Sequence, residues 1–317
     1  MIRRILANLL CEDDLAGRRT SQPRAVLETV ARMAPLLRVF AREGDRLWSP
    51  APAGRDLESG PLRTLPPADE VLAWCETPAA LAHRGGPRQN ETIDWDAPPH
   101  DLLWQLPTPS PAVVAAVHHR AFCLRIAEEI DCALPGARMV ESLAELDQVL
   151  RTAPPAWIVK APLSASGRSR YIERKGPGLT DPKSRRTVER LFEHHGPLLF
   201  EPWMDRTEDF GVSALLGTSE LRIVGIHGQI VDRKGQFSGI DLHPELSRQD
   251  RDRLLETVEA VAVALRRAGY VGPFGIDAWR YRRENGELVL NPLGEINARM
   301  TFGLVAWGAA KRMASGA

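Results

Sequence analysis

"WIVKAPLSASGRSR", residues 157–170, runs an apolar strand into a lysine and then into a loop of serines, one glycine and two arginines. Lysine is scarce in this chain. Lys160, Lys175, Lys183, Lys234 and Lys311 are the only ones in 317 residues, and arginine supplies the rest of the 41 basic side chains. A cation at the end of a buried strand costs desolvation unless its stem reaches water or a partner takes the charge. The loop favours a partner: Ser164, Ser166, Gly167, Arg168 and Ser169 offer hydroxyls and backbone amides suited to anionic oxygens. It has no G-x-x-x-x-G-K-[ST] pattern, and the chain has no G-x-G-x-x-G. "LSASG" also lacks the first glycine of a serine nucleophile elbow. What remains is a strand lysine with a small-residue lid for phosphates.

A second cluster lies near the other end, in "GPFGIDAWRYRRENGELVLNPLGEINARMTFG" (272–303). Asn285-Gly286 is a hairpin signal between two strands. Glu295 and Asn297 are two apart, so on a strand both leave the same face. Asp277 sits on the preceding strand between apolar neighbours. Two carboxylates and an amide oxygen make a hard-oxygen site of the kind Mg²⁺ accepts when phosphates and water complete its shell. The plainer reading is two solvated acids at a hairpin edge, and E-x-N alone does not choose between them.

The intervening chain reads as alternating helices and strands. A helix is expected over 112–130, and "LPGARMV" (134–140) turns into a strand. Ser142 and Glu145 have capping-box spacing ahead of Leu143, Leu146 and Leu150. A helix follows around 185–194, then the buried strand "PLLFEPWM" (197–204) and strands at 212–216, 221–226 and 229–232. The helix over 248–268 turns Leu254, Val258, Val261 and Leu265 to one side and stops at Gly269. Before residue 111 the signals are sparser. They comprise a strand over 5–10, a helix over 24–33, a short strand near 37–40, and Pro/Gly-rich loops over 49–67 and 87–111. Trp74, Trp95 and Trp104 read as core of this first region, and His118-His119 and His194-His195 as helix-surface pairs.

Acids and bases balance at 41 each, which gives no global field for nucleic acid or an anionic membrane. Cys11, Cys75, Cys123 and Cys132 have neither CxxC pairing nor a zinc-finger histidine, and read as free thiols in a reducing compartment. The apolar run after "MIRR" is short and ends in Glu12-Asp13-Asp14, so it reads as a core strand rather than a leader. No stretch approaches a membrane span. A cytoplasmic protein is expected, with no nucleic-acid or membrane partner.

The order of features says more than any one of them. A strand-end lysine and small-residue loop precede a strand ending "FEPWMD", an acid shortly after, and finally D…E-x-N. This succession resembles the ATP-grasp family over about residues 112–307. The resemblance implies an α/β fold of two α+β lobes clasping ATP, with a small α/β domain in front. The boundaries expected are 1–111 for that N-terminal domain, 112–200 for the small lobe and 201–317 for the large lobe with the metal site.

Carried over residue by residue, the resemblance implies that Lys160 contacts the α- and β-phosphates while the 164–169 loop (Ser164, Ser166, Gly167, Arg168, Ser169) closes on the β- and γ-phosphates. Glu201 and Met204 would meet the adenine edge at the hinge, with Trp203 beside it. Glu208 would hold the ribose, Asp209 being the neighbouring alternative. Asp277, Glu295 and Asn297 would hold Mg²⁺, or Mn²⁺ in its place. Arg299, if the strand continues, would face the γ-phosphate or a substrate carboxylate. Many members carry a second phosphate lysine about forty residues before the strand lysine; here "HHRAFC" makes Arg120 the nearest cation. The loop also has a single glycine where the family is glycine-rich.

The activity implied is ligation of a carboxylate to an amine, less often a thiol, through an acylphosphate, with ADP and phosphate released. The partners would be small-molecule carboxylates and amines, and a homodimer is left open. Two other readings are a kinase-type phosphotransferase on the same fold and a nucleotide-binding regulator without turnover.

Overall fold

The computed structural model describes residues 2–18, 22–51, 57–90, 92–164, 168–174, 176, 178–231 and 237–314. Ser166 and Gly167 of the small-residue loop, with Lys175, Asp232 and Lys234, lie outside the described residues.

The chain opens with β1 (Arg3–Leu6), α1 (Cys11–Leu15), α2 (Arg24–Met33), β2 (Arg46–Trp48), β3 (Glu70–Ala73), α3 (Pro78–Arg84) and α4 (Pro99–Gln105). β2, β1 and β3 form a parallel three-stranded sheet. Two expectations change here. The strand expected near 37–40 is a 3-10 helix, Ala34–Phe40, continuing directly from α2 and burying Leu37 and Phe40 from a helical spacing. The loop over 87–111 contains α4, whose Leu102, Leu103 and Trp104 are buried.

Then come α5 (Pro111–His118), α6 (Arg120–Glu129), β4 (Arg138–Val140), α7 (Leu143–Val149), β5 (Trp157–Lys160), β6 (Arg170–Glu173), α8 (Pro182–His195) and β7 (Leu198–Pro202). The four strands form an antiparallel sheet in the order β4-β7-β5-β6. Alternation divides its two faces. Trp157, Val159, Tyr171 and Phe200 pack with Val188 and Leu146 beneath α7 and α8, so Lys160, Arg170 and Glu201 emerge on the opposite face.

The helix expected over 112–130 is broken at His119, whose backbone is extended (φ −70°, ψ 134°). Its imidazole Nδ1 accepts from the Ala121 amide at 3.2 Å, capping a new helix. The Arg120 amide is thereby freed to donate to Pro162 O at 3.0 Å. No proline or glycine marks this break, and a tertiary bond holds it.

The last part comprises β8 (Asp205–Leu216), β9 (Leu221–Val231), β10 (Phe237–Asp241), α9 (Arg248–Arg267), β11 (Gly272–Arg282), β12 (Leu288–Asn297) and α10 (Phe302–Ala314). Its five strands are antiparallel in the order β10-β9-β8-β11-β12. One face packs Phe274, Ile276, Ala278 and Ile296 onto Leu254, Val258, Val261 and Leu265 of α9. This core is continuous with Ile5, Leu37, Leu102 and Trp104 of the first region. The register of β11 and β12 slips between Asp277↔Glu295 and Trp279↔Asn291. Pro292, which has no amide to donate, lies inside that irregularity.

Candidate active site

The opposite face of the large sheet carries the polar residues. Asp277 stands directly across from Glu295 on one side and from Gly211 on the other, and Gly275 stands across from Asn297. Asp277 accepts from Gln229 Nε2 at 2.7 Å and from Asn297 Nδ2 at 3.1 Å. Burial, and next to it the charge of Glu295, push the Asp277 carboxyl up to about 6. Burial opposes ionisation of Glu295 as well, but Arg120 and then Lys160 hold it below the usual carboxylate range.

Arg120 is the link between the two sheets. From the first turn of α6 its Nη2 donates to both Glu295 oxygens at 3.1 Å. The same guanidinium donates to Ser164 Oγ at 2.9 Å, to Ser164 O at 3.1 Å and to Ala161 O. It therefore ties the loop after β5 to the carboxylate of β12. Lys160 does not reach for water. Its ammonium donates to Glu201 on the neighbouring β7 and stands 5.9 Å from the centre of the Trp279 ring. Lys160 and Glu201 on one sheet, and Arg120 and Ser164 joined through Glu295 to Asp277 and Asn297 on the other, thus form one polar cluster across the two sheets.

The remaining expected residues fall around it. Trp203 follows the end of β7, its amide bonded to Ala156 O at 2.9 Å and its ring under Arg174 at 4.9 Å. Met204 packs with Leu134, Trp279 and Tyr281 beside the link between the sheets. Ser169 closes the loop by accepting from the Ala161 amide at 2.9 Å. Arg168 turns the other way: it donates to Gln22 at 3.3 Å and stands 4.0 Å from Glu12.

Two placements differ from expectation. β8 begins at Asp205, earlier than the sequence suggests, so alternation sends Glu208 to the α9 face of the sheet. There Glu208 pairs with Arg280, which also bonds Asp250 of α9 at 2.7 Å. Asp209 is the one of the two acids that shares a face with Gly211 and Asp277. Arg299 does not continue the alternation, because β12 ends at Asn297 and the chain bends. Its Nε stands 3.4 Å from Glu12 and its guanidinium 5.4 Å from the Trp74 ring centre.

Other residues here had no flag in the sequence. Gln229 holds Asp277, and period-two alternation from His227 could have placed it. Arg170 sits opposite Lys160 in the β5–β6 register. Arg206 lies over Trp279 at 3.6 Å. His118 is buried and faces Glu12 at 3.7 Å, so it is no surface residue. Nothing in the sequence linked Glu12 to this end of the molecule.

Among the described residues, no three His, Cys, Asp or Glu side chains converge as a self-sufficient metal site. The two opposed carboxylates and the amide fit a cation that takes most of its shell from phosphates and water. Among the described residues, no helix is long and apolar enough to cross a membrane.

No family model matches the chain. A stretch of 104 residues is 31% identical to the [butirosin acyl-carrier protein]–L-glutamate ligase of Niallia circulans, covering 33% of this chain and 24% of that protein. The match thus spans about a quarter of the curated relative. Among solved structures, phosphoribosylamine–glycine ligase from Thermotoga maritima superposes with a TM-score of 0.56 at 13% identity, over 96% of this chain and 70% of that one. N5-carboxyaminoimidazole synthetase from Staphylococcus aureus, complexed with ADP, gives 0.54 at 10% identity, over 95% and 70%.

Proposed function

We propose that this chain, which has the ATP-grasp fold, is an ATP-dependent ligase joining a carboxylate to an amine through an acylphosphate. The observation that carries the reading is Arg120, which joins the loop after Lys160 to Glu295 across the cleft. In this reading the phosphate-binding loop and the cation-binding carboxylate lie within one side chain of each other. The ligase relative and the ADP complex of a structural neighbour support it.

ATP lies between the sheets in this reading. Lys160 takes the α- and β-phosphates, exchanging the Glu201 carboxylate for phosphate oxygens. Ser164 and Ser169 line the loop over the β- and γ-phosphates, and Arg120 supplies the cation that the second lysine provides elsewhere. Glu201, Trp203 and Met204 border the adenine, and Asp209 replaces Glu208 as the ribose acid. Asp277, Glu295 and Asn297 would hold Mg²⁺ or Mn²⁺, which when bound neutralises phosphate charge. A substrate carboxylate oxygen attacks the γ-phosphorus, and the bond to the β–γ bridging oxygen breaks, releasing ADP. An amine nitrogen then attacks the acyl carbon, the C–O bond to phosphate breaks, and the amine's proton passes to solvent. Arg120 and Lys160 offset the charge that builds on the transferring group, and closure of the cleft keeps water from the acylphosphate. Cytoplasmic placement fits the free thiols of Cys11, Cys75, Cys123 and Cys132.

Turnover with pooled carboxylates and amines, in Mg²⁺ and ATP, tests the reading by ADP release. Hydroxylamine should trap the acyl group as a hydroxamate. Phosphate transfer to a hydroxyl with no trapped acyl group would favour the kinase-type reading. AMP with pyrophosphate would contradict the mechanism, and no turnover with any pool would leave the regulator.

A further inference from the structure

Arg170 opens β6 directly across from Lys160 in the antiparallel register, with Tyr171 across from Val159 one step further on. Side chains of such a pair leave the same face of a sheet, about 5 Å apart. Tyr171, Val159 and Phe200 fill the core beneath α7 and α8, so alternation gives the other face to Lys160, Arg170 and Glu201. Two cations placed opposite each other repel, and the sheet loses stability unless something takes the charge. Lys160 has such a partner in Glu201. Arg170 has none: among the described residues, its guanidinium makes no ion pair and donates no hydrogen bond.

The nearby acids already hold other groups. Glu201 accepts from Lys160, Glu295 accepts from Arg120, and Asp209 stands 3.3 Å from Arg206. Glu173, three residues along β6, leaves by the other face and accepts from the Tyr171 hydroxyl at 2.9 Å. Further cations gather instead. Arg206 and Lys160 share the Trp279 ring, at 3.6 and 5.9 Å from its centre. Partial burial, and then the charges of Arg206, Arg120 and Arg174, press Arg170 below the usual guanidinium range. Its side chain keeps surface open to solvent, so an anion can reach it. An arginine that only rests in water gains nothing from this row of cations, whereas a phosphate offsets its charge and that of Lys160 together.

Position along the sheet selects the phosphate. From Lys160, β5 runs back to Trp157, which is paired with Pro202 beside the hinge that borders the adenine. In the other direction the chain runs out to Ala161 and Ser164, held by Arg120, where the β- and γ-phosphates are placed. Arg170 is level with Lys160, between these ends.

We propose that Arg170 is a further phosphate-binding residue, gripping the α-phosphate from β6 while Lys160 takes it from β5. The inference rests on the ligase reading for its nucleotide. It assigns this face two cations for one phosphate, so a nucleoside monophosphate already engages both.

Calorimetry of the full chain with Mg²⁺–ADP and with AMP, beside thermal melts, tests this in the parent, Arg170→Met and Arg170→Lys. Arg170→Met should weaken ADP and AMP alike, by about tenfold, since both carry the α-phosphate. Arg170→Lys should recover part of each loss. Without ligand, Arg170→Met should melt no lower than the parent, because it removes a repulsion, while the upward shift that Mg²⁺–ADP gives should shrink. A residue that only supported the fold would lower the unliganded melt instead. Arg170→Gln is a second neutral variant with the same expectations. Undiminished ADP and AMP affinity in both neutral variants would overturn the inference and spare the ligase reading. A loss for ADP but not for AMP would overturn the assignment to the α-phosphate. A parent that binds neither nucleotide would overturn the ligase reading itself.

Discussion

The ring of Trp279 lies so close over the backbone of Gly294 that a β-carbon there would stand 1.5 Å from Cζ3. The two residues meet where β11 and β12 slip register, one residue before Glu295. The same ring underlies Arg206 and stands near Lys160. A glycine at 294 therefore lets the Trp279 ring sit flat on the strand that presents Glu295. Gly294→Ala should destabilise the fold by about 1–3 kcal/mol or more through overpacking. Urea denaturation reads this, and Trp279→Leu in the same molecule should return most of the loss. An unchanged midpoint for Gly294→Ala alone would contradict the packing.

Lys160 is held by Glu201, so its removal has two consequences. Lys160→Met should weaken ADP binding by about 1.5–3 kcal/mol, roughly ten- to a hundredfold, because a charge-assisted contact to phosphate is lost. It also strands a buried carboxylate, which should lower the melting temperature. Adding Glu201→Gln removes the stranded charge and should restore the melt but not the affinity. Calorimetry beside thermal melts separates the two, and full ADP affinity in Lys160→Met would refute the phosphate role.

His227 gives the fold a pH dependence of definite sign. Burial pushes its imidazole down to about 4, and Gly211 and Gly303 leave just enough room for it: a β-carbon on either would stand 2.5 Å or 2.0 Å from the ring. The folded state binds the proton less readily than the unfolded one, whose histidine titrates near ~6.5. Stability from this group is therefore fully present above that value and falls as pH drops toward 4. Melts at pH 7, 6, 5 and 4 should show the loss in the parent, and His227→Asn should flatten that part of the curve. Equal slopes in the two proteins would refute it.

Much of the architecture was legible because period is a local property. The 3.6-residue spacing of Leu254, Val258, Val261 and Leu265 gave α9, and Asn285-Gly286 gave the hairpin that sets Asp277 against Glu295. The departures are tertiary. His119 breaks a helix because Arg120 bonds Pro162 and its own ring caps the next turn, and neither bond leaves a trace in spacing. Glu208 lost its expected face because β8 starts at Asp205, and a strand's start fixes only where pairing begins, which needs the partner β11. Glu12 could not be linked to Arg299 from sequence at all, since the contact joins opposite ends of the chain. Lys160, Glu295 and Asn297 were singled out by their order along the chain, and only the register of β11 and β12 sets Glu295 against Asp277.

The last expectation separates the two faces of β12. Ile296 is 1% exposed on the α9 side, while Glu295 and Asn297 leave the other side beside Asp277. Ile296→Asp should therefore destabilise the protein by several kcal/mol, on the order of 3–5, since it puts an unpaired carboxylate into the core. Glu295→Gln is different in kind. It removes the charge that holds Arg120 and that helps raise Asp277, keeps shape, and leaves the buried Arg120 guanidinium on its bonds to Ser164 and Ala161, a smaller loss than an unpaired carboxylate in the core. The variant should stay folded, lose ATP turnover, and lose the Mg²⁺ dependence of ADP binding. Thermal melts with and without Mg²⁺–ADP, beside a turnover assay, report each outcome. A folded and fully active Glu295→Gln protein would remove the cation site, and a stable Ile296→Asp protein would reverse the register on which that site depends.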